Sequence, residues 1–386
     1  GLLIGTGFGV LYALSGLPLA HLIDRTHRVR IVAIGVILWS ICTVASGFAG
    51  SALELLVFRS GVAIGEAVLT PAAVSIIGDL FPREKRTLPT AVYTSAGTFM
   101  VAGAFVAGGF ALDIAEMLSP QFEMESWRLA LVLVGAPGLL IAPILLLTVA
   151  EPKRTQEKAS TPDEGSLAQA LAYVKSEGRM LGFVFLGMCS AGIVTFGYTA
   201  WTPTFLVRAF GWSTADAGYA FGMVGLVCGI AGAALWPFLV KAWTAAGRKD
   251  AAVLILALGV LCAEISVAVL GQAPSAFIVL AMTATMVLPG STTAMLPPLI
   301  IQNVAPARVR ARLMAMNLLA STLVGLAIGP PLCAWIAETF YEGPRALGNA
   351  MTTLALIFGP IAAGAMFIAR PAYPRALDNA LAREAA

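Results

Sequence analysis

The sequence predicts an all-α membrane protein, a bundle of transmembrane helices arranged as two related halves. Three observations carry this expectation. Of the 386 residues, 59% are hydrophobic and only 12% are charged, whereas a soluble domain carries about 25% charged residues. The mean hydropathy is +0.87, more apolar side chain than a water-soluble core can hide. The chain is also divided into apolar runs long enough to cross a bilayer, which takes about 20 residues. These runs are continuous and rich in Ala, Leu, Val and Gly, whereas the strands of a membrane barrel would be segments of about 10 residues with alternating polarity.

The runs lie at 1–23, 30–50, 52–80, 87–112, 127–149, 180–207, 215–240, 251–271, 276–304, 311–337 and 345–369. Their sidedness follows from the basic residues, which concentrate in cytoplasmic loops. One set of loops holds Arg25, Arg28 and Arg30, then Arg83, Lys85 and Arg86, then Lys153, Arg154, Lys158, Lys175 and Arg179. It continues with Lys241, Arg248 and Lys249, then Arg308, Arg310 and Arg312, and the tail adds Arg370, Arg375 and Arg383. The opposite loops hold Arg128, Arg208 and Arg345, and Arg59 stands inside a run. The first set is read as cytoplasmic, and the assignment alternates without a break.

The halves are related by a constant offset. Pro82, Arg86, Ala91, Ala96 and Thr98 reappear as Pro306, Arg310, Ala315, Ala320 and Thr322. The same shift lays the runs at 30–50, 52–80 and 87–112 over those at 251–271, 276–304 and 311–337. Both copies keep one orientation, which makes a parallel repeat. The counterpart of the run at 180–207 falls before Gly1, and the first run begins abruptly at Gly1 on the outer side. The expectation is that one N-terminal helix is missing from this chain, through truncation or disorder, and that the parent has six plus six helices. The domains read as an N-terminal bundle over 1–149, a cytoplasmic linker over 150–179, a C-terminal bundle over 180–370 and a cytoplasmic tail over 371–386. The linker holds the charged stretch EPKRTQEKASTPDEG, flexible by composition. It ends in SLAQALAYVKSEGR, which suits a short surface helix.

Composition also excludes classes. The net charge of +3 argues against a nucleic-acid partner. Cys42, Cys189, Cys228, Cys262 and Cys333 lie singly in apolar stretches, and His21 and His27 have no carboxylate cluster beside them. Neither set suggests a metal site or a disulfide framework, and no cofactor is expected. The chain shows no nucleotide-binding loop, no Ser/His pair and no filter motif, so neither an enzyme, an ATP-driven pump nor a selective channel is favoured.

The loop after the first run reads GLPLAHLIDRTHRVR. It resembles the signature loop of the major facilitator superfamily, matching at Asp24, Arg25, Arg28 and Arg30, with Ala20 and His27 where glycines are usual. RSGVAIGEA, holding Arg59 and Gly65, resembles that family's fourth-helix motif. SAGTFMVAGAFVAGG is similar to its glycine-rich gate helix. The resemblance spans essentially the whole chain and implies two six-helix bundles with pseudo-two-fold symmetry, working by alternating access. Glu66 and the following PAAVSIIGDLFPREKR are similar to the Spinster-type branch, which is associated with export of sphingolipids and lysolipids. That resemblance implies a further acid on the helix expected before Gly1. In the second half KAWTAAGRKDA keeps Gly247, Arg248 and Lys249 but has Thr244 where an aspartate is expected, which implies a weaker second latch.

A charge inside a bilayer costs roughly 2.5–3.5 kcal/mol on insertion scales, so such residues face a cavity or a partner. Arg59 and Glu66 are seven apart, on nearly one helix face and about 10 Å apart along the axis. They read either as a structural pair or as a proton-coupling and substrate-binding pair. Glu264 reads as a buried or interfacial acid without a coupling role. Asp24, Arg25 and Arg28 form either an ordinary positive-inside loop or a gating latch, to which Asp79 and Arg86 could contribute. The resemblance places the first and fourth helices of each half at the cavity. The candidate lining there is Thr195, Tyr198, Trp201 and Thr202, with Thr285, Thr292 and Met295, although aromatics and hydroxyls at helical spacing equally serve packing. This apolar, Met-bearing lining suits an amphiphile with one polar end.

The leading expectation is a proton-coupled secondary transporter of an amphipathic, sphingolipid- or lysolipid-like substrate. It is expected to act as a monomer in the cell membrane, or in the inner membrane if bacterial. An exporter of drugs or a carrier of organic anions is the alternative. A channel or a transport-dead receptor is the alternative from another class. Asp24→Asn should change the transport rate and the accessibility of the two sides to thiol reagents; unchanged values in both would remove the latch reading.

Overall fold

The computed structural model describes residues 6–81, 85, 87–152 and 167–385. Among them every regular element is a helix. Ten helical stretches are long and apolar enough to cross a membrane, and they match the runs from 30–50 to 345–369. The remaining run is represented by α1 (Thr6–Arg25), followed by α2 (Arg28–Gly47).

The run at 52–80 is broken into α3 (Ala52–Glu66) and α4 (Leu69–Leu80). Pro71 lies in the first turn of α4, and its ring would clash with the carbonyl of Ala67 if the helix ran through. Next come α5 (Thr87–Phe122), α6 (Ser126–Thr148), the linker helix α7 (Leu167–Ser176), α8 (Phe183–Phe210), α9 (Thr214–Ala245) and α10 (Ala251–Ala268). The short helix expected in the linker is α7. A glycine in the left-handed region, Gly211 at φ 71°, closes α8, and Ser213 caps α9, its hydroxyl accepting the Asp216 N–H and donating to the Asp216 carboxylate.

The run at 276–304 is likewise broken, into α11 (Ala276–Gly290) and α12 (Thr292–Val304). Here Ser291, Thr292 and Thr293 donate their hydroxyls to the carbonyls of Leu288, Pro289 and Gly290, each at 2.7 Å. Such back-bonding bends a helix and supplies partners for carbonyls that water cannot reach. The chain ends in α13 (Ala307–Phe340), α14 (Ala346–Ala369) and α15 (Tyr373–Ala385).

Contacts divide the chain into two compact units, Gly1–Gln156 with Trp212–Met223, and Glu157–Gly211 with Val224–Ala386. In the first, α2 packs on α6 and α3, α1 on α3 and α4, and α5 on α6. In the second, α8 packs on α13 and α14, and α10 on α14, α11 and α12.

The repeat read from the sequence recurs as geometry inside each unit. Ser51 caps α3 through the N–H of Glu54, and Ser275, its counterpart at the repeat offset, caps α11 through the N–H of Ile278. Both broken helices part at equivalent residues, Ala67 and Ser291. Arg128 donates to the carbonyls of Gly47 and Ala49, while Arg345 donates to those of Gly271 and Ala273, the repeat equivalents. The α2–α3 crossing is close enough that a Cβ on Gly35 would lie 2.8 Å from the carbonyl oxygen of Gly65; one on Gly259 would lie 2.7 Å from that of Pro289.

Gly35→Ala should therefore lower the melting temperature in detergent, since over-packing costs about 1–3 kcal/mol. Gly16→Ala, where an added Cβ meets nothing within 4 Å, should leave it unchanged or raise it. Equal stability of the Gly35 variant and the parent would contradict the crossing.

Candidate functional site

The first unit gathers a polar group around the break between α3 and α4. Glu66 is the last residue of α3 and is exposed. Arg59, two turns earlier and half-buried, sets its guanidinium carbon 5.5 Å from the ring centroid of Phe8. Among the described residues no ion pair joins Arg59 to Glu66, so each charge stays available to a third party. Phe8 stacks on Tyr12 one turn along α1, with centroids 6.2 Å apart. The Tyr12 side chain lies near Thr70 at the start of α4, and Thr70 Oγ1 lies 3.0 Å from the Tyr93 hydroxyl of α5. Four helices thus bring one acid, one guanidinium and three hydroxyls together.

Sequence reasoning found Arg59 and Glu66 but missed Phe8, Tyr12, Thr70 and Tyr93. The one legible signal was the i, i+4 aromatic pair on α1. Thr70 and Tyr93 join only through the break and the return of α5.

A second cluster sits at the inner end of this unit. Arg28, first residue of α2, is 1% exposed. Its guanidinium pairs with Asp79 and donates to Ser75 Oγ at 3.1 Å, to Glu151 Oε1 at 2.7 Å and to the Pro152 carbonyl at 2.9 Å. The other Glu151 oxygen accepts the Val29 N–H at 2.9 Å. The acid on the first turn of α2 suits the helix dipole as well. Burial alone would push the Glu151 carboxyl up, but the bonds from Val29 and Arg28 outweigh it and hold the group below the usual carboxylate range.

Of the residues read as a latch, Arg28 and Asp79 are brought together here, with Arg28 a cation between two acids; the sequence reading missed the second acid, Glu151. It stands at the edge of the linker, far along the chain from the motif. The side chains of Asp24 and Arg86 lie outside the described residues. Arg25 is exposed and borders a cleft of about 550 Å³ with Ser15, Pro18, Leu19, Leu22 and Ile64.

In the second unit the expected lining divides. Tyr198 is buried and donates to Thr283 at 2.6 Å, Thr202 is buried and donates to the Tyr198 carbonyl at 2.7 Å, and Thr292 is buried against the Pro289 carbonyl. These three hydroxyls bond inside the unit, the packing alternative to their reading as cavity lining, and α8 turns Tyr198 and Thr202 inward between α13 and α14. Thr195, Trp201 and Met295 stay half-buried, with the Trp201 indole donating to the Pro330 carbonyl at 2.9 Å.

The inner end of the second unit is not short of acids despite Thr244. Asp250 pairs with Arg370 at 2.6 Å and Arg248 at 3.4 Å, and Lys249 pairs with Asp378 at 2.7 Å. Burial pushes the Asp250 carboxyl up, and the two arginines more than reverse it, so the group titrates below the usual carboxylate range.

These features define a polytopic membrane protein built from two repeated helix units, with an ionisable pair inside one of them. The profile of the Major Facilitator Superfamily matches residues 1–330, and the chain belongs to that superfamily. It is of the Spinster type within it. A crystal structure of a bacterial homolog of the human lysosomal transporter Spinster superposes with a TM-score of 0.79 at 28% identity, covering 99% of this chain and 89% of that one. The sphingosine-1-phosphate transporter of Danio rerio is 29% identical over 214 residues, 54% of this chain and 40% of the relative. An efflux pump from Mycolicibacterium smegmatis is 30% identical over 236 residues, 60% of this chain and 51% of the pump. The matches to these two relatives span about half of their length or less. The relatives are transporters, not enzymes.

Removing the cation from the inner cluster leaves two acids facing each other, and breaking a buried pair costs about 3–5 kcal/mol. Arg28→Gln should therefore lower thermal stability strongly. The sign with pH follows from a carboxyl held low in the fold: the Glu151 contribution is complete above about pH 4.3, the unfolded value, and is lost as pH falls through the folded value. Acid melting curves of a Glu151→Gln variant should lack that loss; a profile parallel to the parent's would contradict it.

Proposed function

We propose that this chain carries out proton-linked transport of an amphipathic substrate by alternating access, with Arg59 and Glu66 as its working charges. One observation carries the reading: an acid and a guanidinium share one face of a membrane helix, Glu66 at the break, with no mutual ion pair. A charge in such a place is costly unless it meets a ligand or exchanges a proton. Glu66 takes and releases the proton. Arg59 holds an anionic head group through its planar fork, while Phe8 and Tyr12 offer a flat apolar surface to the adjoining part of the ligand. Tyr12, Thr70 and Tyr93 supply hydroxyls that can donate to or accept from the same head group. The Arg28–Asp79–Glu151 cluster acts as the inner gate of its unit, tying α2 to α4 and to the linker. The chain works as a monomer in the cell membrane.

The likeness to Spinster proteins supports a lysolipid- or sphingolipid-like substrate. Export of drugs is the second reading, supported by the likeness to the mycobacterial efflux pump, and the same site would then hold an amphipathic drug.

In proteoliposomes, Glu66→Gln should abolish transport driven by a pH gradient while leaving substrate binding largely intact, because glutamine keeps the shape but cannot exchange a proton. Arg59→Ala should weaken binding and coupling together, and Arg59→Lys should restore them in part. Undiminished dependence on the pH gradient in the Glu66 variant would remove Glu66 from the coupling role.

A further inference from the structure

The second unit contains an acid that the site above does not use. Glu264 lies on α10, is 6% exposed, and its Oε2 has no hydrogen-bond partner. It faces α14 at Gly359, where an added Cβ would stand 3.1 Å from Glu264 Cβ and 3.4 Å from Oε2. The glycine therefore makes the space the carboxyl fills. At the repeat offset its counterpart in the first unit is Ser40, also buried with an unpartnered oxygen, whose hydroxyl packs against α6 at Gly138. The equivalent position on the helix thus holds a small neutral hydroxyl in one half and a carboxyl in the other.

No counter-charge is at hand. Of the elements packed on α10, the helices α11, α12 and α14 carry no Asp, Glu, Lys, Arg or His, and neither does the turn Leu270–Gln272. The remaining neighbour, α8, carries Arg208 in its last turn and the titratable Cys189 and Tyr198, the latter bonded to Thr283. Cys262 stands on α10 itself and is exposed. Arg345, ahead of α14, is committed to the carbonyls of Gly271 and Ala273, about two turns beyond Glu264 on α10. An ionised carboxylate in this seam would be buried without partner or cation, which costs several kcal/mol; the neutral acid avoids that cost. A carboxyl offers one thing glutamine does not, an exchangeable proton.

We propose that Glu264 is a proton-binding site of the second unit, neutral while α10 and α14 are packed as here, and able to ionise only when that seam opens. Proton occupancy at Glu264 then favours this packing of α14, which also lies against α8. This site is separate from Glu66, and its test does not read transport.

The test uses dicyclohexylcarbodiimide, an apolar reagent that reacts with protonated carboxyls. The acid proton passes to one nitrogen, the carboxyl oxygen adds to the central carbon, and an acyl shift gives a stable N-acylurea with no leaving group. Peptide-resolved mass spectrometry of the reconstituted full chain should find the adduct on Glu264, falling several-fold from about pH 6 to about pH 9 as the acid ionises during opening. Glu264→Gln should lose that adduct while keeping any on Glu66. The parent's melting temperature in detergent should fall toward alkaline pH, because the packed state holds the proton that the opened state releases, and Glu264→Gln should abolish that fall. Either no adduct on Glu264, or an equal alkaline loss of stability in both proteins, overturns the proposal.

Discussion

The close crossing of α2 over α3, and of α10 over the end of α11, is the constraint on which the rest of each unit depends. Within a bilayer there is no hydrophobic gain from bringing two apolar helices together, so association relies on packing and on satisfied polar groups. Gly35 and Gly65 let two backbones meet directly, and Gly259 does the same against Pro289. Once α2 and α3 are fixed at that point, α3 ends at Glu66 and α4 starts off its axis. The break sets Thr70 beside Tyr93 and Tyr12, and so builds the polar group around the acid. The break has a cost in lost helical hydrogen bonds. The second unit offsets it visibly, with three consecutive hydroxyls turned back onto carbonyls.

The two units share a plan and differ in how they secure their inner ends. In the first, Arg28 ties α2 to α4 and to Glu151 by charge. The repeat equivalent of Arg28 is Ala252 and that of Asp79 is Asn303, so the second unit secures its inner end with other residues. Asp250, at the start of α10, pairs with Arg370, while Asn303 donates to the Tyr373 hydroxyl at 3.0 Å, and Tyr173 and Arg383 both donate to the Val304 carbonyl. Helices α7 and α15, from linker and tail, provide the two tyrosines and Arg383.

Charges in the apolar interior are few and differ in surroundings. Arg59 and Glu66 lie two turns apart on α3 with no ion pair between them. Glu264 is buried, and of the helices packed on α10 only α8 carries a cation, Arg208 in its last turn. Arg128 and Arg345 spend their charge on helix-end carbonyls at equivalent places in the two repeats, a structural use that a list of loop arginines does not reveal.

Local and periodic information was enough for the class and the plan. Continuous apolar runs dictate membrane helices because backbone groups must be paired internally. The constant offset between Pro82 and Pro306 reported the repeat, and Arg59 and Glu66 were conspicuous because a charge in an apolar run needs a reason. Three matters were decided only by the tertiary structure. Which cation anchors the inner cluster depends on Glu151, more than 100 residues along the chain from Arg28, and no local pattern encodes that approach. Whether Tyr198 and Thr202 face a cavity or the core depends on how α8 rotates between α13 and α14, which its uniformly apolar sequence leaves open. And the hydroxyls around Glu66 converge because Pro71 breaks one helix and α5 returns past it: the proline is visible in the sequence, but the direction taken after the break is set by packing.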